Sequence, residues 1–197
     1  VNRRWQGDLV EQRYREAMSG AHRALVELRA ARTIKAFGVG VNDWSILLRF
    51  AGDGDFDCFM LAGRYTLLDH TALETFMPEC ERRGISVLMA APFNSGILAT
   101  GAHPGATFFY VEAEPEIIAR TRRIEAVCAR HGVALAAAAL QFPLAHPAVA
   151  SVVTGMRSAL EADANITHCR APIPSAFWDE LKQEQLIAAE APVPTAN

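Results

Sequence analysis

Apolar positions recur at three- and four-residue steps through Tyr14, Met18, Ala21, Leu25 and Leu28. That period predicts an amphipathic helix from Asp8 to about Arg32, with Asp8 placed to cap it. "TIKAFGVGV" follows, a β-branched and apolar run bounded by glycine, which predicts a buried parallel strand. "WSILLRFA" predicts a short helix, "FDCFMLA" a second buried strand, and "TALETFMPECERRG" a helix closed by Gly84. "ISVLMAAP" predicts a third strand. "EPEIIARTRRIEAVCARHG" and "VALAAAALQFPLAH" predict two helices, the first ended by Gly132 and the second near Pro143. "AVASVVTG" predicts a fourth strand, "SALEADANI" a helix starting at Ser158, and "SAFWDELKQEQLIAAE" a terminal helix capped by Ser175. The tail "APVPTAN" is proline-rich and is expected to fray.

Regular alternation of strand and helix implies an α/β chain with a parallel sheet and crossover helices. The strand spacing is close to that of a β/α unit. Four such units make half of an eight-stranded (β/α)8 TIM-type barrel, whose full length is typically about 250 residues. A doubly wound, three-layer sheet fits the same pattern. With 197 residues, 51% of them hydrophobic, the chain is expected to form one globular unit over 1–197.

Charge narrows the partners. A net charge of −3, with 19 basic and 22 acidic residues, gives no positive field for nucleic acid. No stretch approaches the roughly 18 apolar residues of a membrane span, and the start does not resemble a signal peptide. The four cysteines, Cys58, Cys80, Cys128 and Cys169, form no Cys-x-x-Cys pair, so buried or incidental thiols in a reducing, cytoplasmic compartment are expected. The chain opens "VNRRWQGD" without a methionine and reads as a piece of a longer protein.

Candidate chemistry gathers where predicted strands end. "GVGVND" (38–43) lacks the third glycine of a dinucleotide fingerprint. Either Gly40 lets a neighbour approach closely, or Asn42 and Asp43 hold an amide at the carboxyl end of a barrel strand. Arg64 and Tyr65 end the second strand. Arg64 is a substrate or phosphate contact, or the ion-pair partner of Asp69. After the third strand, Pro92, Phe93, Asn94, Ser95 and Gly96 form a loop whose backbone N–H groups suit a pyrophosphate, or an ordinary turn. Gly155 follows the fourth strand, and Ser158 is placed to cap a helix. None of the six histidines has metal-ligand spacing, and His70 alone borders a strand end. There is no nucleophile elbow and no lysine-bearing phosphate loop.

Taken together, "TIKAFGVGVND", "AGRYTLLDH", "ISVLMAAPFNSGIL" and "VASVVTGMRSALEADANI" resemble the second half of an aldo/keto reductase, in that family's order and spacing. Within it the motifs are most similar to the NAD-linked sugar and pyridoxal dehydrogenases. The resemblance implies a barrel running from before the fifth strand to the C-terminal helix. It gives Asn42 and Asp43 the place of the Ser-Asn pair that binds the nicotinamide carboxamide. Ala62 and Ala90 stand where the family has a Gln on that amide and a Tyr stacked on the ring, with Phe93 or Tyr65 to compensate. Phe93, Asn94, Ser95 and Gly96 inherit the pyrophosphate. Gly155 and Glu161 replace the Lys and Arg that pair a 2′-phosphate, which implies NAD, while Arg157 and Ser158 leave NADP open. Asn165 matches an adenine-contacting Asn.

The implied reaction is hydride transfer between nicotinamide and a sugar hemiacetal, aldehyde or alcohol, with Arg64 and Tyr65 on the substrate side. The family's catalytic Asp, Tyr, Lys and His come from its first half, so no catalytic residue is assigned in this chain, and Tyr14, Tyr65 and Tyr110 do not take the role. Open strand edges imply a companion: the missing N-terminal half-barrel or another copy, as a homo-oligomer. The alternative is a non-catalytic, truncated relative that binds or self-associates.

Overall fold

The computed structural model describes residues 7–195. Four parallel strands, β1 (Gly38–Val41), β2 (Cys58–Ala62), β3 (Ser86–Ala90) and β6 (Val149–Val153), pair in the order β1-β2-β3-β6. Sequential order excludes the doubly wound alternative, in which the order reverses at a switch point. A hairpin of β4 (Thr107–Phe108) and β5 (Val111–Glu112), absent from the sequence-based expectation, stands apart from the sheet.

The helices are α1 (Asp8–Glu16), α2 (Arg23–Ala30), α3 (Trp44–Asp53), α4 (Phe76–Arg83), α5 (Ile97–Thr100), α6 (Pro115–His131), α7 (Leu135–Leu144), α8 (Ala159–Arg170) and α9 (Ser175–Gln183). Gly84 and Gly132 close α4 and α6 with φ of 68° and 64°, a left-handed conformation that glycine adopts without a Cβ penalty.

Helices cover one face of the sheet. Phe59 and Leu61 of β2 and Val87 and Met89 of β3 are buried there among Phe76, Met77 and Ile124. On β6 an irregularity between Val87 and Leu88 of the partner strand lets Val149 and Val152, three positions apart, pair opposite the inward Val87 and Met89. The other face stays open: Met60 is 37% and Val153 40% exposed. The strands were expected to be buried, and they are buried on one side only. In a closed barrel this second face turns inward. The close approach expected at Gly40 is there, an added Cβ meeting the Met60 Cβ at 3.3 Å, and it is closer still at Gly38, where a Cβ would lie 1.8 Å from the Cys58 carbonyl oxygen.

Several local expectations are corrected. The first helix contains a π-helical stretch, Ala17–His22, whose wide turn re-phases the apolar stripe. Leu25 and Val26 keep contact with the core, while Ala21 and Leu28 face solvent. Asp8 lies inside the first turn, where a carboxylate favours the positive helix end, and Gly7 holds the cap position. Helix α4 begins at Phe76 because Asp69 folds the preceding residues into a turn, accepting from the Thr71 N–H at 3.0 Å and hydroxyl at 2.6 Å. Pro174, not Ser175, precedes α9. The segment leading into the tail is held, with Leu186 and Ile187 buried and Arg120 donating to the Leu186 carbonyl at 2.7 Å. In the tail itself Ala191 is buried and Val193 packs on the core, while residues 196–197 lie outside the described residues.

Beneath this tail, Phe142 gathers the rings of Tyr65, His70 and Trp178 at centroid distances of 5.1, 5.5 and 6.3 Å. Burial, with Arg120 adding to it, pushes the His70 pKa down to about 4, although Asp69 and Glu190 act the other way. Between the ordinary histidine pKa of 6.5 and about 4, the unfolded chain therefore takes up a proton that the folded chain refuses. The contribution is fully present above pH 6.5 and falls as pH drops through this window. Urea unfolding should show the His70→Gln variant losing less stability than the unchanged protein between pH 7 and 4.5, by about 2–3 kcal/mol. Equal losses would show that His70 titrates normally.

Candidate active site

Because the strands are parallel, their carboxyl ends share one edge, and the loops leaving β1, β2, β3 and β6 meet there. At β1, Asn42 is exposed, and its carbonyl accepts from Arg64 Nε at 3.2 Å. The Asp43 carboxylate caps α3 by accepting from the Ser45 N–H at 3.0 Å and hydroxyl at 2.6 Å. After β2, Arg64 pairs with Asp69 at 3.0 Å and lies 4.1 Å from the centre of the Phe109 ring. Of its two readings, the ion-pair reading matches the geometry. Tyr65 points the other way and is 0% exposed, packed on Phe142 and His146, so no substrate reaches it. Its place on the substrate side, and its use as a replacement ring, are therefore corrected.

The loop after β3 has left-handed backbone at Ala91, Asn94, Ser95 and Gly96, with φ of 54°, 44°, 64° and 107°. Such a run in residues that carry side chains persists only where surroundings hold it. Asn94 supplies much of that hold. It is 2% exposed, accepts from the Thr66 hydroxyl at 2.5 Å and donates to the Gly63 carbonyl at 3.2 Å. Its side chain thus locks the β2 and β3 loops together instead of reaching for a ligand. Ser95 accepts from the Tyr110 N–H at 2.9 Å through its hydroxyl and from the Thr107 hydroxyl at 3.0 Å through its carbonyl. The β4–β5 hairpin is thereby fastened beside the loop.

After β6, Ser158 caps α8, its hydroxyl accepting from the Glu161 N–H at 3.2 Å. Glu161 accepts from the Arg157 N–H at 2.7 Å and from the guanidinium at 2.8 and 3.1 Å. These bonds to Arg157 hold the Glu161 carboxyl below the usual carboxylate range. Asn165, one turn further along α8, donates to the Thr154 hydroxyl at 3.4 Å.

A cleft of about 690 Å³ lies between the two loops, within the size of ordinary ligand pockets. It brings Phe93, Asn94, Ser95 and Gly96 opposite Gly155, Arg157, Glu161 and Asn165. Ser158 is not on its wall and serves as a helix cap. Thr100, His103, Tyr110 and His168 also line it. His168 follows Glu161 and Asn165 on one face of α8, a spacing readable in the sequence, whereas the hairpin residues carried no sequence signal.

A second, mostly apolar cleft of about 640 Å³ runs along the free edge of β1, between Tyr14 and Phe50, and includes Asn42 and Ala62. Tyr110 lines both clefts.

A sequence profile described as the aldo/keto reductase family matches residues 4–185. Pyridoxal 4-dehydrogenase of Microbacterium luteolum is 46% identical over 169 residues, covering 86% of this chain and 49% of that protein. D-threo-aldose 1-dehydrogenase of a Pseudomonas species is 36% identical over 172 residues, covering 87% and 52%. The chain thus spans about half the length of these relatives. An aldo-keto reductase of Bacillus halodurans, in its apo form, superposes with a TM-score of 0.69 at 22% identity, covering 88% of this chain and 58% of that one. Its likeness, and that of the glycerol dehydrogenase of Gluconobacter oxydans at a TM-score of 0.63 and 15% identity over 87% of this chain and 54% of that one, identifies the fold: these β/α units are those of a partial (β/α)8 barrel.

Replacing Asn94 by Ala leaves the buried Gly63 carbonyl without its side-chain donor, and should lower stability by about 1–3 kcal/mol in urea unfolding. An unchanged midpoint would show that the two loops hold their shape without it.

Proposed function

The chain belongs to the aldo/keto reductase family, and from that membership we propose that it is the dinucleotide-binding half of an NAD-linked dehydrogenase. The reaction is oxidation or reduction at a sugar hemiacetal or an aldehyde or alcohol carbon, the class to which the names of its relatives point. One observation carries the reading: a single cleft joins the loop after β3 to the turn and first helical face after β6.

In this reading the backbone of Phe93, Asn94, Ser95 and Gly96 takes the pyrophosphate, and Glu161 and Asn165 take the adenosine end. Asn42 and the backbone beside Asp43 take the carboxamide end. Bound there, the dinucleotide supplies hydride transfer at its nicotinamide ring. The chain's own residues bind and orient it. A carboxylate at Glu161 repels a 2′-phosphate and suits ribose hydroxyls, which favours NAD. Arg157 tempers that preference, since its guanidinium already pairs with Glu161, two of its nitrogens donating to one carboxylate oxygen.

Proton transfer is assigned outside this chain. Tyr14 donates to Asp53 at 2.7 Å, and burial and that carboxylate push its pKa up to about 12, so it keeps its proton. Tyr65 is enclosed and held protonated by burial. The companion is the N-terminal half-barrel, or a second copy, pairing at the open edges of β1 and β6 and so enclosing the open sheet face. Supporting this, apolar side chains lie exposed on that face and beyond β6, with Met60 at 37%, Val153 at 40%, Met156 at 51% and Leu160 at 79%. Four free thiols suit a reducing, cytoplasmic setting.

Calorimetric titration of the purified protein tests the reading. NAD should bind at least about tenfold more tightly than NADP, and Glu161→Gln should narrow the gap by removing the carboxylate and releasing Arg157. Absence of binding by either nucleotide would overturn the assignment of this cleft.

A further inference from the structure

We propose that Tyr110 is a nicotinamide-stacking residue that favours the oxidised, cationic ring, an assignment that rests on the dinucleotide reading of the cleft. Tyr110 is 86% exposed, an uncommon position for a large aromatic side chain. With Phe109 it forms the turn of the β4–β5 hairpin, and both residues have left-handed backbone, φ of 48° and 64°. Asn and Gly are the ordinary occupants of such turns. Two aromatic residues in their place point to a use for the rings.

Each residue is pinned by a different part of the site. The Phe109 ring lies under the Arg64 guanidinium at 4.1 Å and against Phe108 at 4.5 Å. It also comes so close to Gly63 that an added Cβ there would sit 3.0 Å away. Arg64 in turn holds the Asn42 carbonyl at 3.2 Å. Tyr110 is fixed through its backbone, the N–H donating to the Ser95 hydroxyl at 2.9 Å. The hairpin tip is therefore suspended between the carboxamide end and the pyrophosphate end, and the Tyr110 ring projects where the two clefts adjoin.

The strand ends at this edge, Ala62 and Ala90, offer only methyl groups, and among the described residues Tyr110 is the aromatic residue that lines both clefts. Oxidised nicotinamide is a pyridinium cation and reduced nicotinamide is a neutral ring. The electron-rich face of a phenol attracts the first more strongly. Tyr110 thus adds affinity for one redox state without touching the adenosine end.

Titrations of NAD+, NADH and ADP-ribose against the purified protein and three variants separate the outcomes. Tyr110→Ala and Tyr110→Asn both keep the backbone N–H, and Asn also suits the left-handed turn. Each should weaken NAD+ by about tenfold and NADH by about threefold, leaving ADP-ribose within about twofold. Tyr110→Phe should bind all three nearly as the unchanged protein does. Equal weakening of NAD+ and ADP-ribose would overturn the stacking assignment, as would NAD+ affinity that ignores the substitution. Failure of ADP-ribose to bind the unchanged protein would instead overturn the nucleotide cleft itself, and this assignment with it.

Discussion

Parallel pairing forces the carboxyl ends of β1, β2, β3 and β6 onto one edge, and the candidate site depends on that constraint. An antiparallel neighbour would send alternate loops to the opposite end. Here, loops far apart in sequence are delivered to one rim without a designed contact between them. The contacts that exist then set fine position. Asn94 bolts the β2 and β3 loops together, Arg64 braces Asn42 against Asp69 and Phe109, and Ser95 fastens the hairpin. A site held by such supporting bonds loses little freedom when a ligand arrives.

The same geometry explains the unequal faces of the sheet. Crossover helices lie on one side, where Phe59, Leu61, Val87 and Met89 meet them. The opposite side carries small or exposed residues, among them Gly38, Gly40, Ala62 and Ala90. Parallel sheets ordinarily have both faces covered. The aldo/keto reductase fold meets that requirement by closing the sheet on itself, and this chain supplies the units of one side.

Much of this was legible in the sequence. Strand positions followed from apolar runs, and Gly84 and Gly132 marked helix ends because a left-handed residue was needed there. The sequence also singled out Phe93–Gly96 and the stretch from Gly155 to Asn165, which the structure brings to one cleft. What sequence could not supply was side-chain direction. Tyr65 follows a strand end as Arg64 does, yet one turns into the core and the other to the rim. Asn94 was read for its backbone N–H, and nothing in the sequence shows that its side chain turns inward to hold Thr66 and Gly63. The hairpin was missed because its strands are two residues each and its turn lacks the usual turn residues. The π-helical stretch was missed because one wide turn barely disturbs a three-to-four periodicity.

The seam between β3 and β6 has a kinetic meaning. Strands β1, β2 and β3 are joined by single crossovers, whereas β3 reaches β6 only after the hairpin and helices α5, α6 and α7. Closing that long excursion costs more chain entropy than closing the others, and its ladder is interrupted by the irregularity at Val87 and Leu88. The walls of the cleft stand on opposite banks of this seam, so a molecule bound between them acts as a rivet across the longest chain excursion in the sheet.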